Sequence, residues 1–241
     1  MSIRTVFGAA AASLMLLVSA QAADVIVEEV VVAPAPPPPS NWTGFYAGLH
    51  AGYGWGNSDW SFQPGSFWSN PPVTGGSTSP DGFIGGGQVG YLHQNGDLVF
   101  GVDISASYAD LDDTIASPAF PAFDTWQTEI DFLALAQLRA GYAYDKWLIF
   151  AQGGYAGAHA EATGTALFGF GASDSNWHNG WTVGGGVLYK PGQNWSFGAE
   201  YNYIDLQSQN YNMSVFGGND PASISHDIHA VKATLNFHFG N

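Results

Sequence analysis

The chain runs to 241 residues and carries 20 Asp and Glu against 5 Lys and Arg, with no cysteine. A net charge of −15 argues against nucleic acid as a partner, because phosphate binding needs clustered Lys and Arg; the lack of cysteine excludes a disulfide framework, a catalytic thiol and a thiolate metal site. Charged residues make up only 10% of the chain while aromatics reach 15%, so something other than water is expected to cover part of the surface.

The N-terminus couples Arg4 to the apolar run Val6–Val18 and the small-residue site Ala20-Gln21-Ala22, which reads as a signal peptide over 1–22. That run is shorter than the roughly 18 to 20 apolar residues of a membrane-spanning helix. Its removal leaves 4 basic against 20 acidic residues, a net charge of 4 − 20 = −16. Residues 23–40 end in the proline run Ala33–Pro39, which cannot join a helix or sheet and forms an extended periplasmic linker. From Trp42 onward the pattern stays uniform, so 41–241 is expected to be one domain.

Period two marks eight candidate strands: Gly44–Trp55, Phe83–His93, Leu98–Tyr108, Glu129–Tyr142, Trp147–His159, Trp181–Lys190, Trp195–Asp205 and Asp227–Phe239. The first sets Phe45, Leu49, Tyr53 and Trp55 on one face and Gly48, His50 and Gly52 on the other. The third alternates Phe100, Val102 and Ile104 with Gly101, Asp103 and Ser105. The fourth sets Ile130, Phe132 and Leu138 against Glu129, Asp131, Gln137 and Arg139. The fifth is apolar on both faces near its start, so its phase is left open.

Short turns fall at Gln94–Asp97, Asp145-Lys146 and Pro191–Asn194, while long loops fall at 56–82, 109–128, 160–180 and 206–226. This alternation predicts an all-β fold, an eight-stranded antiparallel up-and-down transmembrane β-barrel with short periplasmic turns, four long extracellular loops and both termini periplasmic. Outward rings gather near the turns (Phe45, Phe100, Trp147, Trp195) and near the loops (Tyr53, Trp55, Tyr108, Trp181), giving two aromatic girdles. A soluble sandwich or lipocalin-like barrel would turn a charged face outward, whereas the non-apolar face here is rich in glycine and poor in charge.

Arg139 lies on the inward phase with Asp103, Glu200 and Lys232, at similar heights. The expected lumen pairs are Asp103 with Arg139 and Glu200 with Lys232, as a structural plug or as a gate.

The blocks Trp42–Gly56, Gly82–Tyr91, Arg139–Ala156, Gly180–Tyr189 and Ala199–Leu206, in this order, resemble the porin-like outer-membrane immunogenic proteins of alphaproteobacteria, a branch of the OmpA-like eight-stranded barrels. The resemblance implies an abundant antigenic surface protein in the outer membrane of a Gram-negative bacterium, with haem binding or pore activity in some relatives, and supplies no catalytic residues. Such barrels usually end on an aromatic residue that the outer-membrane assembly machinery reads, whereas this chain continues past Phe239 with Gly240-Asn241.

Four histidines, His159, His178, His226 and His229, map to the loop end and are weak candidates for a haem or metal site, against a reading as scattered rim residues; no cofactor is expected. Asp110, Asp112 and Asp113 head an acidic second loop, and the four loops lack Lys and Arg, which suits divalent cations bridging to lipopolysaccharide phosphates or simple solvation. Asp110-Leu111-Asp112 and Asp227-Ile228-His229 echo the paired acids and Asp-His dyad of omptin-type proteases, but the strand phase turns Asp227 and His229 outward. The expectation is a monomeric, non-enzymatic structural protein supporting the envelope and contacting lipopolysaccharide, with a narrow pore or surface receptor as the alternative.

Overall fold

The computed structural model describes residues 41–217 and 219–239. The expected signal peptide 1–22, the linker 23–40 and Gly240-Asn241 lie outside the described residues. The strands are β1 (Gly44–Phe62), β2 (Gly75–Thr78), β3 (Asp81–Asn95), β4 (Leu98–Ala116), β5 (Thr125–Tyr144), β6 (Trp147–Thr165), β7 (Gly171–Tyr189), β8 (Trp195–Asn212) and β9 (Pro221–Phe239).

Consecutive strands pair antiparallel except β2 with β3, which both pair with β1, and β1 pairs with β9 from Phe45↔Phe239 to Phe62↔Ala222, which closes the sheet. β2 and β3 together form one stave. They line the same edge of β1 and are separated at Ser79-Pro80, where proline has no N–H to give to the ladder while its carbonyl still accepts from the Gly56 N–H at 3.0 Å. The barrel therefore has eight staves.

Two of the tight turns are made by residues that tolerate positive φ. Gly96 (φ 63°) and Asp145 (φ 51°) open two-residue hairpins between β3 and β4 and between β5 and β6.

The long loops are shorter than their sequence suggests. Most of 56–82, 109–128, 160–180 and 206–226 is strand, leaving connections at 63–74, 117–124, 166–170 and 213–220. Strands of 19 residues, at about 3.3 Å each and tilted by about 40°, rise roughly 20 Å beyond an apolar band of about 25 Å.

The two halves of the barrel meet different solvents without any change of parity on β9. Its even residues face inward throughout, polar near the turns (Lys232, Thr234, Asn236, His238) and apolar towards the loops (Ala222, Ile224, Ile228). β1 makes the same exchange: Leu49, Tyr53 and Trp55 face outward below, whereas Trp60 and Phe62 are buried inside above and Asn57, Asp59 and Ser61 are exposed. Apolar surface points to lipid in one half and to an interior core in the other.

One expectation about phase fails. The structure turns Glu129 and Asp131 outward and buries Ile130, because a bulge between Ile130 and Phe132 reverses the alternation of β5 above it, while Leu133 and Leu135 keep the inward phase of Arg139. The open phase of β6 resolves with Leu148, Phe150 and Gln152 inward and Trp147, Ile149 and Tyr155 outward.

Limited chymotrypsin digestion of the refolded protein in detergent should cut at Phe67 and Phe216 and spare Trp60, Phe62 and Tyr211, which are buried on paired strands. Early cleavage at Trp60 or Tyr211 would show that the strands stop at the membrane belt.

Candidate functional site

The lumen is filled in layers. At the turn end Trp42, Tyr46, Leu92, Leu148, Phe150 and Leu188 form an apolar plug. Next comes a polar layer around Arg139, then an apolar layer of Ile84, Leu111, Ile130, Ile204 and Ile228. Trp60, Phe62, Trp126, Tyr211 and Met213 fill the loop end, beneath Trp68, whose indole N–H donates to the Met213 carbonyl at 2.6 Å.

Arg139 is 3% exposed and all its ordered contacts are internal. Nε donates to Gln152 Oε1 at 2.8 Å, its direct cross-strand partner. Nη2 reaches across the interior to Glu200 Oε1 at 2.8 Å and lies 3.5 Å from Asp103 Oδ1. The guanidinium carbon sits 4.6 Å from the Phe150 ring centroid, so the plane is held by an aromatic face as well as by carboxylates. Asp103 Oδ2 accepts from the Tyr46 hydroxyl at 2.5 Å, and Gln152 and Gln137 both donate to Asn202 Oδ1, at 2.9 and 2.8 Å.

Tyr46 reaches Asp103 because Gly90 lies under it. A Cβ on Gly90 would stand 2.4 Å from the Tyr46 hydroxyl oxygen and 2.5 Å from its ring carbon.

The expected partner of Glu200 was Lys232. The two are opposite each other in register, both buried, yet no ion pair within 4.0 Å joins them among the described residues. Glu200 turns to Arg139 instead, whose longer forked side chain spans the interior between β5 and β8.

The four histidines do not form one site. His178 and His226 are buried inside with ring centroids 4.4 Å apart; His178 bonds the Tyr211 hydroxyl at 2.6 Å and the Gln207 carbonyl at 3.0 Å, and His226 bonds Ser58 at 2.6 Å. His159 and His229 lie on the outer face, His159 against Asp131 at 2.8 Å and His229 against the Tyr201 hydroxyl at 2.7 Å and stacked on Trp55. Among the described residues no group of three His, Asp or Glu could hold a metal ion.

Asp110 and Asp112 are exposed and Asp113 accepts from the Ser79 N–H at 2.7 Å. The register reveals what sequence order concealed. Asp81 opposes Asp112, Asp112 opposes Glu129, and Glu129 opposes Glu161, giving one exposed row of carboxylates across β3 to β6 just above the aromatic girdle. Like charges set directly opposite destabilise a sheet unless something neutralises them.

A closed, lipid-facing barrel with a packed lumen defines a class, and the comparisons agree. The chain belongs to the outer membrane protein beta-barrel domain family, which matches residues 9–239. It is 29% identical over 210 residues to the 31 kDa outer-membrane immunogenic protein of Brucella melitensis, covering 83% of this chain and 84% of that one. It is also 29% identical to the 25 kDa outer-membrane immunogenic protein of Brucella canis over 174 residues, 72% of this chain and 70% of the relative. Among solved structures it resembles the outer-membrane protease OmpT from Escherichia coli, with a TM-score of 0.53 at 8% identity, covering 81% of this chain and 97% of that one, a likeness of fold alone. The protein is an outer-membrane β-barrel of a Gram-negative bacterium.

Arg139→Ala should lower unfolding stability by about 3 to 5 kcal/mol, because it leaves Glu200 and Asp103 buried without their shared cation. Arg139→Met with Glu200→Gln should recover part of that loss. Denaturant unfolding in detergent measures both, and an Arg139→Ala variant that unfolds like the parent would show that the network is not load-sharing.

Proposed function

We propose that this chain is a monomeric structural protein of the outer membrane, with both termini and the short turns in the periplasm and the long ends of the staves outside, supporting the envelope through contact with lipopolysaccharide. The observation that carries this reading is the filled lumen. Four successive layers of buried side chains, with Arg139 and Lys232 balancing the charges of Glu200 and Asp103 in the second, leave interior contacts in place of a pathway. A protein that passes nothing through itself acts through its surfaces.

Closure of β1 on β9 supports the monomer, since in the lower half of the barrel every stave is paired on both sides and no sheet edge is free. The acidic row Asp81, Asp112, Glu129, Glu161 supports the lipopolysaccharide contact. It lies just above the outward rings of Tyr53, Tyr108 and Trp181, at the height of outer-leaflet phosphates, where divalent cations coordinated by carboxylates would cancel both sets of negative charge. The assembly machinery is the expected partner of the last strand, β9. No hydrolytic role is assigned: Asp227 and His229 are on the outer face, with His229 held by Trp55 and Tyr201.

In planar bilayers the purified protein should give no channel events above the bare membrane, and sustained conductance would favour a pore. Asp112→Asn with Glu129→Gln should raise stability in chelator by about a few tenths of a kcal/mol, by removing opposed like charges. The same pair should shrink the additional stabilisation that magnesium and lipopolysaccharide together give the parent. Equal stabilisation of parent and variant would remove the row from the contact.

A further inference from the structure

The loop end carries a cleft of about 290 Å³ to which all four connections contribute: Phe67 from the first, Phe123 and Asp124 from the second, Phe170 from the third and Phe216 from the fourth. Phe67 and Phe170 each stand 5.8 Å from the Phe216 ring centroid, the former edge-on. These rings stay open to solvent, with Phe216 75% and Phe123 58% exposed, although the connections beneath them are tied down. Trp68 bonds Met213, and the Phe67 N–H donates to Asp220 Oδ2 at 3.1 Å, joining the first connection to the fourth. Exposed aromatic surface held in this way is unusual for a part of the barrel that projects into water rather than lipid.

Asp124 is the polar group in the lining. It is 6% exposed, and burial pushes its carboxyl above the usual carboxylate range. Its backbone closes the second connection, the N–H donating to the Phe120 carbonyl at 3.0 Å and the carbonyl accepting from Ser117 at 2.8 Å. The carboxylate itself takes no part in that turn: among the described residues it has no hydrogen-bond donor and no cationic partner. No Lys or Arg occurs in 56–82, 109–128, 160–180 or 206–226, so among the described residues none of the connections supplies a cation to it. A largely buried carboxylate without a structural task, set among aromatic side chains, suits a positively charged group bearing apolar substituents, through ion pairing and cation–π attraction together.

We propose that this cleft binds a small hydrophobic cation, an aromatic or alkyl ammonium compound, with its charged nitrogen at Asp124 and its apolar part among Phe67, Phe123, Phe170 and Phe216. The proposal goes beyond the envelope role and does not depend on it. The cleft stands roughly 20 Å above the apolar band, out of reach of lipid chains. Its one carboxylate selects against anions, and a neutral hydrophobe would leave it unpaired.

The test is calorimetric titration of the refolded protein in nanodiscs of zwitterionic lipid with benzyltrimethylammonium, its neutral isostere neopentylbenzene, and benzylphosphonate. Saturable binding of the cation, on the order of tenfold tighter than the neutral isostere, with no binding of the anion, is expected. Asp124→Asn should reduce cation affinity by a similar factor while leaving neopentylbenzene unaffected, and Phe216→Ala should weaken both. Each variant is checked for folding by its heat-dependent gel shift; since the Asp124 carboxylate makes no hydrogen bond or ion pair among the described residues, Asp124→Asn should fold as the parent does. The proposal is overturned if the cation fails to saturate, if cation and isostere bind alike, or if Asp124→Asn binds as the parent. It is equally overturned if sedimentation shows the cleft occupied by a second copy that the cation does not displace.

Discussion

Inside a bilayer no water is available for the backbone, so every N–H and C=O in the spanning part must find a partner within the protein. The closed ladder from β1 round to β9 meets that constraint, and the rest of the molecule follows from it. Once the ladder is closed, side chains can only alternate inward and outward, and each face takes the composition of what it meets. Glycine on the inner face of the lower half is part of the same logic, as at Gly90, where the missing side chain is the space occupied by Tyr46.

Closure also decides where the buried charges go. Asp103, Arg139, Glu200 and Lys232 are two acids and two bases on one inner surface, so the layer is neutral as a whole. Simple neighbour pairing would give two local ion pairs. The structure instead gathers both carboxylates around Arg139, with Tyr46 and Gln152 satisfying oxygens that Arg139 leaves open. A guanidinium presents five donors in a fixed plane and is less strongly hydrated than an ammonium, which makes it the better cation to surround in a confined interior. Staves three apart are thereby joined across the middle, a link that no ladder hydrogen bond could provide.

Much of this was legible in the sequence where one alternation runs unbroken. The staves, the turns within Gln94–Asp97 and at Asp145-Lys146, the outward rings and the inward set around Arg139 follow from period two and the breaks in it. What was hidden has three physical causes. The upper halves of the staves keep period two but exchange the polarity of the faces at Trp55, so Asn57-Ser58-Asp59 reads as loop although it is strand. The bulge beside Asp131 inverts the phase of β5 and sends Glu129 outward. Cross-barrel contacts such as Arg139 with Glu200, and the lateral row of carboxylates, depend on register between strands, which the alternation within a strand does not encode.

The exchange of polarity along each stave has a consequence for the surface. A barrel that ended at the lipid boundary would carry its loops as mobile connections between short strands. Here the same staves continue upward around an interior of Trp60, Phe62, Trp126 and Tyr211, with Trp60 and Trp126 stacked at 5.4 Å and Trp68 closing the mouth. The connections that remain are short and anchored at both ends to paired backbone. Their conformational entropy is reduced before anything binds, so little of it remains to be lost on contact. The apolar core of the upper half thus does for the upper staves what lipid does for the lower half: it sets which face each side chain takes, and it holds the acidic row just above the aromatic girdle and the aromatic cleft above that row.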